Sequence, residues 1–254
     1  MRTAAAMLLR ELENYTGQLL QLDRFKDYAP NGLQVEGRPE VRRLLCGVTA
    51  SEALIDAAIA WQADAIVVHH GYFWKNEDAR VIGSKKRRLA KLLGHDISLL
   101  AYHLPLDAHP ELGNNAQLGL RLGLVADGRF GDQSLGCLGA PDKSLTLSEF
   151  ATRVESALGR KPMVIGDGDA LVRRVGWCTG GAQGYFGDAI AAGCDVYLTG
   201  EASESNYHAA LEQGVAFVAA GHHATERYGV QALAGHLAMQ FDLDWQYFDL
   251  PNPI

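Results

Sequence analysis

The chain has 254 residues, 48% of them hydrophobic, enough for one large core or two modest ones. A formal charge of −7 argues against a protein that grips nucleic acid through a broad basic face, and it suits a site that holds cations. The four scattered cysteines, Cys46, Cys137, Cys178 and Cys194, form no C-x-x-C pair, which points to reduced thiols in a cytoplasmic protein rather than a disulfide scaffold or structural zinc.

In chain order, "MRTAAAMLLRELENYTGQLLQL" spaces its leucines as an amphipathic helix does. Its apolar run is broken by Arg10, Glu11 and Glu13, so neither a signal peptide nor a membrane span is expected there. "DYAPNGLQVEG" (27–37) reads as a turn-rich loop. "VRRLLCGVTAS", "EALIDAAIAWQA" and "DAIVVHHG" follow as strand, helix and strand, and "RRLAKLLGHD" with "ISLLAYHLPLDAH" adds a further helix and strand. This alternation predicts an α/β fold with a largely parallel sheet.

The glycine-rich stretch 125–144 is expected to be a passage into a second lobe, whose first helix is "LSEFATRVESALG" with Thr146 or Ser148 as cap. The second half repeats the first: residues 48–71 align without gaps on 179–202, at an offset of 131. Ala58, Ile59 and Asp64 then fall on Ala189, Ile190 and Asp195, while His69 and His70 fall on Gly200 and Glu201. Two pseudo-symmetric α/β lobes are the expected architecture, residues 1–125 with 213–254 forming one and 126–212 the other.

Unusual polar residues gather where the apolar strands end, the place where open α/β sheets collect ligands. His69 and His70 follow one strand, His103 and Asp107 another, and His222, His223 and Glu226 a third. His222 and Glu226 share a face if "HATERYGVQALAGHLAM" opens a helix. Mixed imidazole and carboxylate donors suit zinc, iron, manganese or cobalt, and carboxylates can bridge two ions roughly 3.5–4 Å apart. Expected to stay outside any site are His95, His208 and His236, surface residues without acidic partners at useful spacing. Strand termination at His69 and a turn at Gly71 would let both adjacent imidazoles reach neighbouring ions. The basic run "SKKRRLAK" (84–91) reads first as a solvated helix face, and no P-loop or nucleophile elbow is present.

"DYAPNGLQVEG", "VVHHGYFWK", "YHLPLDAHPELGNNAQLG", "LTGE" and "AAGHHATERYG" resemble the Nif-three-like family of dinuclear metal proteins, often labelled GTP cyclohydrolase I type 2 homologues. The resemblance runs from the first loop to "DLPNPI". It implies a two-lobed α/β fold, a toroidal homo-hexamer, and two divalent ions per chain on His69, His70, Asp107, His222 and Glu226. His103 and His223 become the groups that orient ligands or carry protons as catalytic residues.

Three functions follow as expectations. The first is a metal-dependent hydrolase acting on a nucleotide-like or other small substrate. The second is a non-catalytic, metal-dependent ring that binds nucleic acid or a protein, with Lys85 to Arg88 as its best support. The third is oxygen or peroxide chemistry, should the ions be iron. A membrane partner is not expected.

Overall fold

The computed structural model describes residues 7–254, so the first six residues of the N-terminal stretch lie outside the described residues. The chain divides into two compact units. Unit 1 runs to Leu106 and takes in Gly229–Pro251; unit 2 is Asp107–Tyr228 with Asn252–Ile254. The divisions therefore fall at 106/107 and 228/229, where the sequence suggested 125/126 and 212/213. Residues 107–125 go with unit 2 because their helix Asn114–Arg121 is locked there: the Trp177 indole N–H donates to the Asn115 carbonyl (2.9 Å). Residues 213–228 go with it because Ala216–Ala219 is a strand of its sheet, and the Tyr228 hydroxyl donates to the Ala157 carbonyl.

Unit 1 is built on a five-stranded sheet in the order Asp244–Tyr247, Arg43–Thr49, Ala65–His70, Ser98–Ala101, Gly32–Val35. The first four are parallel and Gly32–Val35 closes the edge antiparallel. Part of the expected loop 27–37 is thus a strand. The run "AIVV" carries no alternation because both of its faces are covered, as a parallel central strand requires. The helix Glu52–Trp61 packs Leu54, Ile55 and Ala58 onto it with Ile66 and Val68. It starts at Ser51, whose side chain accepts from the Leu54 N–H, and ends at Gln62 in a left-handed conformation. The helix Leu9–Leu20 buries Leu9, Leu12, Thr16 and Leu20, the face its leucine spacing predicts.

Unit 2 carries a six-stranded mixed sheet ordered Met163–Ile165, Ala216–Ala219, Val196–Thr199, Val175–Trp177, Gly136–Pro141, Leu124–Phe130. Ala216–Ala219, Val196–Thr199 and Val175–Trp177 are parallel to one another. The stretch expected as a passage, 125–144, is instead mostly an antiparallel pair of strands. Its glycines misled because they serve close strand pairing: a side chain on Gly139 would run into the Val125 carbonyl, and one on Gly136 into the Phe130 ring. The helix Leu147–Leu158 opens with a capping box from Thr146 and Glu149 and buries Phe150 and Val154 against Val175 and Leu198.

The internal repeat has a structural counterpart in each unit. Leu44 pairs with Ala65 as Val175 pairs with Val196. Asp64 accepts from the main-chain N–H groups of Arg42 and Arg43, and Asp195 from those of Arg173 and Arg174. No helix among the described residues is long and apolar enough to cross a membrane. All four cysteines are buried, and burial pushes the Cys137 and Cys194 thiols up to about 11.

Candidate metal centre

In unit 1 the donors sit at the carboxyl ends of two neighbouring strands. Ala65–His70 does not stop at His69. Thr49 pairs with His70, and the His70 carbonyl accepts from the Ala50 N–H (2.8 Å), which holds His70 in the strand. Gly71 is required for space rather than for a turn, since a side chain there would overlap Gln34 Oε1 and Ala101 Cβ. The two imidazoles still lie side by side at the strand's end, ring centres 4.5 Å apart. His103 joins them at 5.1 Å from His69 and 5.7 Å from His70, and one nitrogen from each ring falls within 4.8 Å of the others.

Each ring is held through Nδ1. That of His69 donates to the Tyr102 carbonyl (2.9 Å), that of His70 meets the Thr49 hydroxyl (3.2 Å), and that of His103 meets Asp27 Oδ1 (2.7 Å). Because a carbonyl can only accept, the His69 tautomer is fixed with the proton on Nδ1 and the lone pair on Nε2. Asp27 also accepts from the N–H groups of Tyr28 and Leu104 and from the Asn31 amide, and Asn31 Oδ1 accepts from the His103 N–H. Burial alone would raise the Asp27 carboxyl, but the hydrogen bond and charge of His103, with Asn31 and the Tyr28 N–H, hold it at about 2. Neither Asp27 nor Asn31 stands out in the sequence, where both fall in the turn-rich stretch 27–37.

In unit 2 a half-buried imidazole and a buried carboxylate form a second donor pair. His222 opens the short helix His222–Thr225, and Glu226 sits just past its end, at the break before Arg227–Phe241. His222 Nε2 and Glu226 Oε2 are 3.2 Å apart. Two ligand atoms, each about 2.0–2.2 Å from one ion, stand at about this separation, so the pair fits a shared cation. Gly180, at φ +72°, lies against both: a Cβ there would run into Glu226 Oε1 and come within 3.2 Å of His222 Nε2. Its N–H donates to Thr225 Oγ1 (3.0 Å), which pins the bare backbone beside Glu226.

His222 Nδ1 contacts Glu201 Oε1 at 2.6 Å. Burial alone would lower the His222 imidazole, but Glu226 and then Glu201 raise it to about 9. The group is built for positive charge. Asp107 is 7% exposed, and its Oδ1 accepts from the Asn114 amide (2.8 Å) and the Thr179 hydroxyl (3.3 Å), which leaves the carboxylate oriented. Asn115 ties the same segment down, its amide on the Leu135 carbonyl and its Oδ1 on the Thr179 N–H. His223 follows His222 in the helix, with its main-chain N–H on the Ile254 carbonyl.

The donor chemistry, three imidazoles in unit 1 and imidazole with carboxylate in unit 2, therefore fits divalent cations. Thr179, Gly180 and Glu201 were missed in the sequence, although the repeat places Glu201 opposite His70. The three histidines set aside all have partners, His95 Nδ1 lying 2.9 Å from the Lys91 carbonyl. His208 Nε2 lies 3.2 Å from Glu204, four residues earlier, and His236 is half-buried with Nε2 2.7 Å from the Tyr15 hydroxyl.

An α/β protein with imidazole and carboxylate donors clustered at its strand ends is the class that fold and site define. The chain belongs to the Duf34/NIF3 (NGG1p interacting factor 3) family, whose profile matches residues 7–253. It is 53% identical over 256 residues to the "GTP cyclohydrolase 1 type 2 homolog" of Pseudomonas aeruginosa, covering 100% of both chains. The protein of that name from Neisseria meningitidis serogroup B is 54% identical over 97% of this chain and 99% of its own. The solved structure of protein ybgI, described as of unknown function, matches with a TM-score of 0.95 at 49% identity, over 98% of this chain and 100% of that one.

Proposed function

We propose that His69, His70, Asp107, His222 and Glu226 would hold divalent cations, two per chain, in a metal-dependent hydrolase for a nucleotide-like or other small substrate. The observation that carries this reading is the His222–Glu226 pair at 3.2 Å with the bare Gly180 backbone against it, where a side chain would take the place of an ion. The imidazole pair of unit 1, with the His69 tautomer already set by Tyr102, supports it. Relatives called GTP cyclohydrolase 1 type 2 homolog supply the substrate class. The toroidal hexamer belongs to the same reading, and particle mass in solution, six chains rather than one, checks it.

Bound ions supply Lewis acidity and lower the pKa of water to near neutrality. The chain's own contribution is orientation and proton handling. Asn114 and Thr179 keep Asp107 from rotating, and Tyr102 and Thr49 hold the His69 and His70 rings. His103, clamped by Asp27, carries a proton on Nε2 between substrate and solvent, and His223 has the same role from unit 2.

The test is incubation of metal-loaded protein with GTP and, separately, with simple phosphodiesters. Turnover of one of them, lost in Glu226→Gln, is expected; undiminished turnover in that variant overturns the reading. A nucleic-acid scaffold is less well supported, because the basic run is engaged by acidic neighbours: Lys85 with Glu77, and Arg87 with Glu52.

A further inference from the structure

Glu201 stands just past the end of the strand Val196–Thr199, at the position the repeat equates with His70. A duplicated strand end thus carries a carboxylate where its counterpart carries an imidazole. That carboxylate is aimed at an imidazole: Oε1 lies 2.6 Å from His222 Nδ1, short for an N–H···O contact and typical of a charge-assisted bond. Its other oxygen accepts from the Gln183 amide (3.4 Å), and Gln183 is in turn held by its own carbonyl, which accepts from Asn206 (3.1 Å).

The surroundings keep the pair in register. A side chain on Gly200 would collide with the Gly180 carbonyl and the His222 backbone, and one on Gly181 would press on His222 Cε1 at 3.4 Å. A carboxylate accepts but cannot donate, so this contact places the imidazole proton on Nδ1 and turns Nε2 toward Glu226.

We propose that Glu201 is a positioning residue of the metal centre: it fixes the His222 tautomer and ring orientation, and so sets how tightly the His222–Glu226 pair holds its cation. The inference rests on the metal-binding reading above and adds to it a residue that touches no ion. Carboxylates behind ligating imidazoles raise ligand basicity, and their loss typically weakens metal binding roughly 10–100-fold.

Cobalt(II) is the probe, since it reports both affinity and, through its visible absorption, the ligand field. Wild-type protein, Glu201→Ala, Glu201→Gln and the surface variant Glu204→Gln are stripped of metal and titrated against a competing chelator. Glu204 pairs with His208 in solvent, 88% and 61% exposed, and so serves as a carboxylate–histidine contact of no consequence.

Glu201→Ala is expected to bind one cobalt ion about 10–100-fold more weakly and to shift its absorption band. Glu201→Gln, whose amide oxygen still accepts from Nδ1–H, is expected between alanine and wild type, and Glu204→Gln matches wild type. Should the alanine variant fail to fold, the glutamine variant decides. Wild-type cobalt affinity in whichever variant folds overturns the role of Glu201 and leaves the metal centre standing; a wild-type chain that takes up no cobalt overturns both.

Discussion

The two βαβ segments share their wiring down to individual hydrogen bonds. In unit 1 the Asp64 N–H donates to the Arg43 carbonyl, Ala63 to Ala58 and Tyr102 to Val68; in unit 2 Asp195 donates to Arg174, Cys194 to Ala189 and Ala220 to Thr199. Each segment then diverges within two residues of its central strand's end, into His69–His70 in one and Gly200–Glu201 in the other. The first pair offers two imidazoles. The second offers room for the Gly180 carbonyl and a carboxylate that steadies an imidazole from another segment. Main-chain wiring defines the scaffold, and the residues at or just past the strand ends decide whether a unit presents ligands or supports them.

The comparison breaks most visibly at Gly180. Gly180→Ala puts a methyl group where Glu226 and His222 meet and forces a side chain into φ +72°, so metal affinity is expected to fall by at least about 100-fold. Equilibrium dialysis with cobalt(II) measures it. Wild-type uptake would mean that the space beside Gly180 is not where a cation sits.

A smaller effect separates the paired aspartates. Asp64 is buried, and besides two main-chain N–H groups it holds Arg38 at 2.8 Å; Asp195 is exposed and takes the same two main-chain donors. Asp64→Ala is expected to cost about 3 kcal/mol because its donors are left without water, against about 1 kcal/mol for Asp195→Ala, where water can replace the carboxylate. Urea denaturation of the two variants gives both numbers. Equal losses would show that burial does not separate the two copies.

Much of this was legible in residue patterns. The apolar run before His69, the alanine-rich helix after Ser51 and the capping signal at Thr146 each fix a local structure without tertiary help. Histidines and carboxylates gathered at several strand ends announce a site because open α/β sheets collect ligands there. What stayed hidden was set by partners distant in sequence. Gly136 and Gly139 read as breakers, and only the facing Phe130 ring and Val125 carbonyl explain them as strand residues. Glu201 and Asp27 lie 21 and 76 residues from the imidazoles they hold, so no local spacing could reveal those pairings.

Asp27 gives the finest test, because it plays toward His103 in unit 1 the part that Glu201 plays toward His222 in unit 2. Its side chain is only 4% exposed, and its carboxyl, ordinarily at 3.8, sits at about 2. A lowered folded-state value means that the ionised form stabilises the fold. That stabilisation is fully present above pH 3.8 and is lost as pH falls through about 2. The increment is about 2 kcal/mol. In Asp27→Asn this share of acid sensitivity should vanish, so the stability gap between wild type and variant, measured by urea midpoint in metal-free protein, should close between pH 4 and pH 2. A gap that stays constant across that range would mean that the Asp27 charge does not hold His103, and the parallel between the two carboxylate–imidazole pairs would fail.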